Sequence, residues 1–111
     1  EEWLGVLDSL AESTDSQILE LAERLATQRE QVASVLDVLR MGLRDVLLAA
    51  AGASKKLRVF GRRKLPTASR RAALAALGCI DEAEESLVGF VSPRMVAEHL
   101  LLGLRRAFRE S

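Results

Sequence analysis

Apolar positions along this chain recur mostly every three or four residues, the spacing that puts side chains on one face of a helix. Trp3, Leu4, Leu7 and Leu10 follow it and predict a short amphipathic helix over residues 2 to 12. Thr14 followed by Gln17 has the capping-box spacing and opens a second helix through Ile18, Leu19, Leu21, Ala22 and Leu25. Thr27 and Glu30 repeat that spacing and predict the cap of a long third helix, from Arg29 to Ala51, stopped by Gly52. At 100° per residue, Val32, Val35, Leu36, Leu39, Leu43, Val46, Leu47 and Ala50 form its core stripe. Met41 and Leu48 fall on the opposite side.

The pattern breaks between Gly52 and Pro66, where GASKKLRVFGRRKLP reads as a loop with a short ordered turn around Leu57 to Phe60. Thr67 is then the expected cap of a fourth helix running to about Phe90, with a break at Gly78 into two helices as the alternative. Ser92 is a natural N-cap, and Pro93 at the first helical position gives up an N–H that would have no partner there. The last helix follows to about Arg109. Val96, Leu100, Leu104, Ala107 and Phe108, with Ala97 and Leu101 at the margin, make its apolar stripe. Met95 and Leu102 stand outside that stripe, among Glu98, His99, Arg106 and Arg109. They repeat the seven-residue separation of Met41 and Leu48. Two readings are open for each pair: the helix is wrapped on two sides within a bundle, or the pair meets another polypeptide.

Composition supports an all-α, single-domain helical bundle of about five helices. The 111 residues are 49% hydrophobic yet contain no Tyr, one Trp and three Phe, so the core rests on Leu, Ala and Val. A chain of this length buries roughly two-thirds of its unfolded surface, enough for one core. The single cysteine, Cys79, has no internal disulfide partner, which fits the cytoplasm, and no apolar run approaches the ~20 residues of a membrane span. The chain starts at Glu1 without an initiator Met or a signal-peptide pattern, which is the expectation for a piece of a longer protein.

Candidate chemistry is sparse. His99 has Met95, Leu102 and Gly103 as its neighbours at helical spacing, so no group on its own helix would make it a base. Cys79 lies between alanines and Ile80 and reads as a small buried thiol. Asp81, Glu82, Glu84 and Glu85 lack the spacing of a calcium loop and read as a solvated face. Gly52-Ala53-Ser54-Lys55 lacks the order of a phosphate-binding loop, and no strand precedes it. The sequence therefore predicts no enzyme, cofactor, metal site or small-molecule substrate.

Charge changes this picture only locally. Net charge is formally zero, but residues 46 to 80 carry eight bases and no acid. Lys55, Lys56, Arg58, Arg62, Arg63 and Lys64 supply six of them, and with Phe60 as a stacking surface the segment from Lys55 to Arg71 is a candidate nucleic-acid contact. The competing reading is a solvated loop that pairs with acidic surfaces, its own or a partner's.

Leu39-Arg40-Met41-Gly42-Leu43-Arg44-Asp45-Val46-Leu47-Leu48 resembles the leucine-rich Arg-Asp helix of bacterial DNA polymerase III clamp-loader subunits. Ser92-Pro93-Arg94, with Glu98, Leu100-Leu101-Leu102 and Leu104, resembles their Asn-Pro-Arg…Glu-x-Leu-Leu-Leu-x-Leu helix. Ser92 replaces the usual Asn and keeps its capping chemistry; Phe90-Val91 replaces the usual Asn-Val. Ile18-Leu19-Glu20-Leu21-Ala22-Glu23-Arg24-Leu25 followed by Arg29-Glu30 looks most like the delta-prime subunit, and the related gamma/tau and delta subunits end in similar helices. The resemblance spans about residues 15 to 108. It implies a C-terminal collar domain, one of five that pack into a ring joining the gamma/tau, delta and delta-prime subunits of the machine that places the sliding clamp on primed DNA in replication. ATP, zinc and clamp contacts would belong to an N-terminal region that these residues do not include. Met95, Leu102, Met41 and Leu48 are the expected subunit contacts.

Overall fold

In a computed structural model, the described residues are 2–52, 65–89 and 91–110, and they form an all-helical bundle. Five α-helices follow in order: α1 (Glu2–Ser9), α2 (Asp15–Leu25), α3 (Arg29–Ala50), α4 (Arg70–Val88) and α5 (Pro93–Arg109), with one 3₁₀ turn, Leu10–Glu12, after α1. The expected single helix over residues 2 to 12 therefore tightens into 3₁₀ in its last turn. The four apolar residues that predicted it, Trp3, Leu4, Leu7 and Leu10, are all buried.

Capping chemistry explains most helix starts. Thr14 Oγ1 accepts from the Gln17 N–H while Gln17 Oε1 accepts from the Thr14 N–H at 2.8 Å, the reciprocal box read from the sequence. Ser92 Oγ accepts from the Met95 N–H at 3.1 Å, with Pro93 at the first helical position. Two expected caps are displaced. A turn at Ala26 and Thr27 moves the start of α3 one residue on, so extended Gln28 is its N-cap and Thr27 instead donates from Oγ1 to Gln31 Oε1 at 2.7 Å. On α4 the cap is Ser69, not Thr67: Ser69 is extended and its Oγ accepts from the Ala72 N–H at 3.0 Å, while Ala68 just before it is buried. Helix α4 runs unbroken through Gly78 and stops at Gly89. Helix α3 stops at Ala51 and Gly52, whose φ of +79° lies in the left-handed region that suits glycine.

The five helices share one core. Helix α4 packs between α3 and α5, α2 lies mainly on α5, and α1 lies on α3. The largest fully buried side chains are Leu4, Leu7, Leu10, Ile18, Leu25, Leu36, Leu39, Leu43, Ile80, Leu100, Leu101 and Leu104. Each contributes roughly 1.5–3 kcal/mol of transfer free energy, offset largely by ordering entropy. The α3 stripe holds from Val32 to Val46, but Leu47 is half-buried and Ala50 exposed at the end of the helix. Gly42 and Asp45 join the buried set; Asp45 is 1% exposed and has an interaction partner. Gly42 is a place of close approach: a Cβ there would come within 2.7 Å of Leu4 Cδ2 and 3.3 Å of Leu7 Cδ1, so the leucines of α1 pack directly over it.

Polar ties fix the helix ends to one another. The Arg29 guanidinium donates to the carbonyls of Leu87 and Val91, joining the start of α3 to the connection between α4 and α5. Arg105 and Arg109 both donate to Ser13 O, at 3.1 and 3.0 Å, and Arg109 Nε also reaches Ala11 O at 2.8 Å. Arg105 further pairs with Asp15 at 2.7 Å. Backbone carbonyls between the 3₁₀ turn and α2, which no helix satisfies, are thereby bonded by α5.

Candidate interaction surface

Helix α5 buries its whole expected stripe: Val96, Ala97, Leu100, Leu101, Leu104, Ala107 and Phe108. Their faces meet α4 on one flank and α2 on the other, so the consecutive leucines 100 and 101 are both core. The third leucine is not. Leu102 is 39% exposed and Met95 is 63% exposed, two turns apart on the outer face of the helix. On α3, Met41 is 43% exposed while Leu48 is half-buried. The two pairs lie on different helices, each of which packs chiefly on α4.

Beside Leu102 the flanks of α4 and α5 enclose a groove of about 410 Å³, lined among others by Cys79, Glu82, His99, Gly103 and Arg106. His99 Nε2 lies 3.5 Å from Glu82 Oε2. The partner that His99 lacks on its own helix thus comes from α4, which the sequence pattern could not supply. Both side chains are largely exposed, so the pair is a surface contact. Cys79 is half-buried rather than fully buried. Burial, and secondarily the charge of Glu82, push its thiol above the ordinary 9.0, with Arg106 opposing. A thiol held protonated in this way is a poor nucleophile at neutral pH.

The acidic cluster on α4 is partly claimed within the molecule. Arg40 on α3 pairs with Asp81 at 2.8 Å and also with Glu84. Among the described residues no group of three or more His, Cys, Asp or Glu is placed to hold a metal ion. A second hollow, about 380 Å³, is bordered by exposed Glu12, Gln17, Glu20 and Arg24. Lys55, Lys56, Arg58, Arg62, Arg63 and Lys64 lie outside the described residues; of the basic segment, Arg70 and Arg71 are described, and both are exposed on the first turn of α4. Leu74, 54% exposed on α4, was missed by sequence reasoning because Leu77 three residues on and the alanines around both blur the edge of the apolar face of α4.

These observations define a class: an all-helical bundle whose described helices include none long and apolar enough to cross a membrane, with apolar spots and charged faces on its surface. No protein-family model, curated protein or solved structure matches the chain.

Proposed function

We propose that this chain is a non-catalytic oligomerisation domain of the collar type carried by bacterial DNA polymerase III clamp-loader subunits, most like delta-prime. In this reading it packs against the collar domains of gamma/tau and delta subunits and so helps to assemble the machine that places the sliding clamp on primed DNA. The observation that carries the interface is the exposure of Met95 and Leu102 on a helix that otherwise buries every apolar residue beyond its first turn. A helix gains nothing in water from two large apolar side chains on its outer face; burial against a partner returns roughly 25 cal/mol per Å² of apolar area. The residues that carry the resemblance support the reading further, because Leu39, Leu43, Val46, Leu100, Leu101 and Leu104 are the core that holds α3 and α5 in place.

The test is Met95→Glu with Leu102→Glu, assayed for binding to purified gamma/tau and delta subunits beside the parent chain. The reading expects a circular dichroism spectrum and melting like the parent's and at least tenfold weaker binding. Unfolding of the double variant would show the two residues to be core. Unchanged binding, or no binding by the parent, would remove the collar interface. Leu101→Glu, a change at a fully buried position, serves as the control that must unfold the chain.

A further inference from the structure

Helix α4 turns to solvent a face spaced three and four residues apart: Arg71, Leu74, Gly78, Asp81 and Glu85. All five are exposed. Three features of this face have no explanation within the monomer. Gly78 weakens a helix interior, yet a Cβ there would meet nothing within 4 Å, and its backbone is not among the positive-φ glycines. Leu74 is 54% exposed at its side. The charges run against the helix dipole, with Arg70 and Arg71 in the first turn and Glu85 in the last, each at the end where its sign is unfavourable. Among the described residues, none of Arg70, Arg71 and Glu85 is in an ion pair.

We propose that this face of α4 binds a second copy of the chain, as an antiparallel two-fold dimer with Leu74 of each copy seated over Gly78 of the other. The register follows from the numbering. Placing Leu74 opposite Gly78 also places Arg71 opposite Asp81, and the two-fold axis repeats both contacts, giving four successive layers: Arg71 on Asp81, Leu74 on Gly78, Gly78 on Leu74, Asp81 on Arg71. Asp81 bonds Arg40 of its own copy through Oδ1, so the facing Arg71 shares a carboxylate that is already paired on one side. Glu82 lies one residue beyond Asp81 and gives the same guanidinium a second acid. Because bases open the helix and acids follow in its second half, antiparallel pairing sets Arg70 and Arg71 of each copy beside Asp81 and Glu82 of the other, whereas parallel pairing would stack like on like. The unfavourable order for the isolated helix is the favourable order for the pair. Gly78 then has a use, since a missing side chain gives the facing leucine its seat and lets the backbones approach. With one leucine per copy as its apolar centre, the contact is weak and electrostatically steered. It uses α4 and leaves Met95 and Leu102 on α5 free, so it is independent of the collar reading.

Sedimentation velocity across a concentration series tests it. The parent chain is expected to show a reversible monomer–dimer equilibrium that weakens in high salt. Arg71→Asp and Asp81→Arg should each weaken it at least tenfold, by setting like charges opposite one another at both symmetric contacts, whereas Arg40→Gln, which removes only the bond Asp81 makes within its own copy, should not. Mixed together, the two variants should form a heterodimer at least as readily as the parent forms its dimer, because one then carries acids and the other bases at all four positions. Gly78→Gln should abolish the dimer while leaving the circular dichroism spectrum intact. Met95→Glu with Leu102→Glu should leave it unchanged, which separates this surface from the collar interface. A parent chain that stays monomeric into the millimolar range, or charge variants that fail to complement one another, would overturn the proposal.

Discussion

A side-chain carbon added to Gly103 on α5 would lie 2.9 Å from the sulfur of Cys79 on α4. That is well inside contact distance, so the closest approach of the two helices here depends on a missing methyl group. Gly103→Ala should destabilise the fold by about 1 kcal/mol despite the better helix propensity of Ala, because the half-buried thiol must move. In a Cys79→Ala background the same change should be neutral or stabilising. Urea denaturation of the four variants gives the coupling; additive effects would show that the thiol is not what Gly103 accommodates.

Gly78 gives the opposite expectation. It sits inside α4 with open space around the position a Cβ would take. Gly78→Ala should therefore raise monomer stability by roughly 0.5–1 kcal/mol, measured by chemical denaturation in dilute solution. A loss of stability would mean that α4 is strained at this point.

The displaced caps distinguish side chains that hydrogen-bond a helix N-terminus from those that only stand near one. Ser92→Ala, Thr14→Ala and Ser69→Ala remove bonds to Met95, Gln17 and Ala72 N–H groups and should each cost about 1 kcal/mol. Thr67→Ala and Thr27→Ala should each cost a few tenths at most, since neither hydroxyl caps a helix. Melting temperatures of the five single variants would show the division directly.

The Cys79 thiol makes stability depend on pH at the alkaline end. Its folded-state value is raised above the ordinary 9.0 chiefly by burial. Below that ordinary value the thiol is protonated in both states and its contribution is fully present. As pH rises past it, the unfolded chain loses the proton first, and the native state loses relative stability until the folded value is passed. The fall in stability above pH 9 should therefore be steeper in the parent than in Cys79→Ala. Alkylation of the native thiol by iodoacetamide at pH 8 should likewise be slower than that of the unfolded chain. Equal slopes or equal rates would show that the site does not hold the thiol protonated.

The sequence by itself determined the helices and the buried faces of α1, of α5 and of α3 as far as Val46, while on α2 it did not separate exposed Leu19 from buried Ile18, Ala22 and Leu25. Helical spacing, the Thr14–Gln17 box, the Ser92-Pro93 start and the Gly52 stop are local, and local chemistry sufficed to place α2, the end of α3 and all of α5. The core stripe of α5 needed no structure either, because a helix must turn its apolar side to whatever covers it. Where two residue types suit the same local purpose, the sequence could not choose between them: Thr67 and Ser69 are both capping types, and in the fold it is Ser69 that accepts from the Ala72 N–H. Tertiary structure alone set the meetings between helices. It brought Glu82 to His99 and Arg40 to Asp81 and Glu84, laid Arg105 and Arg109 over the Ser13 carbonyl, and made Gly42 and Gly103 places of close approach. It also took Ala97 and Leu101, marginal in the periodic pattern, fully into the core. The reason is geometric: periodicity fixes where a side chain lies around its own helix, while crossing angles and neighbours fix what that direction meets.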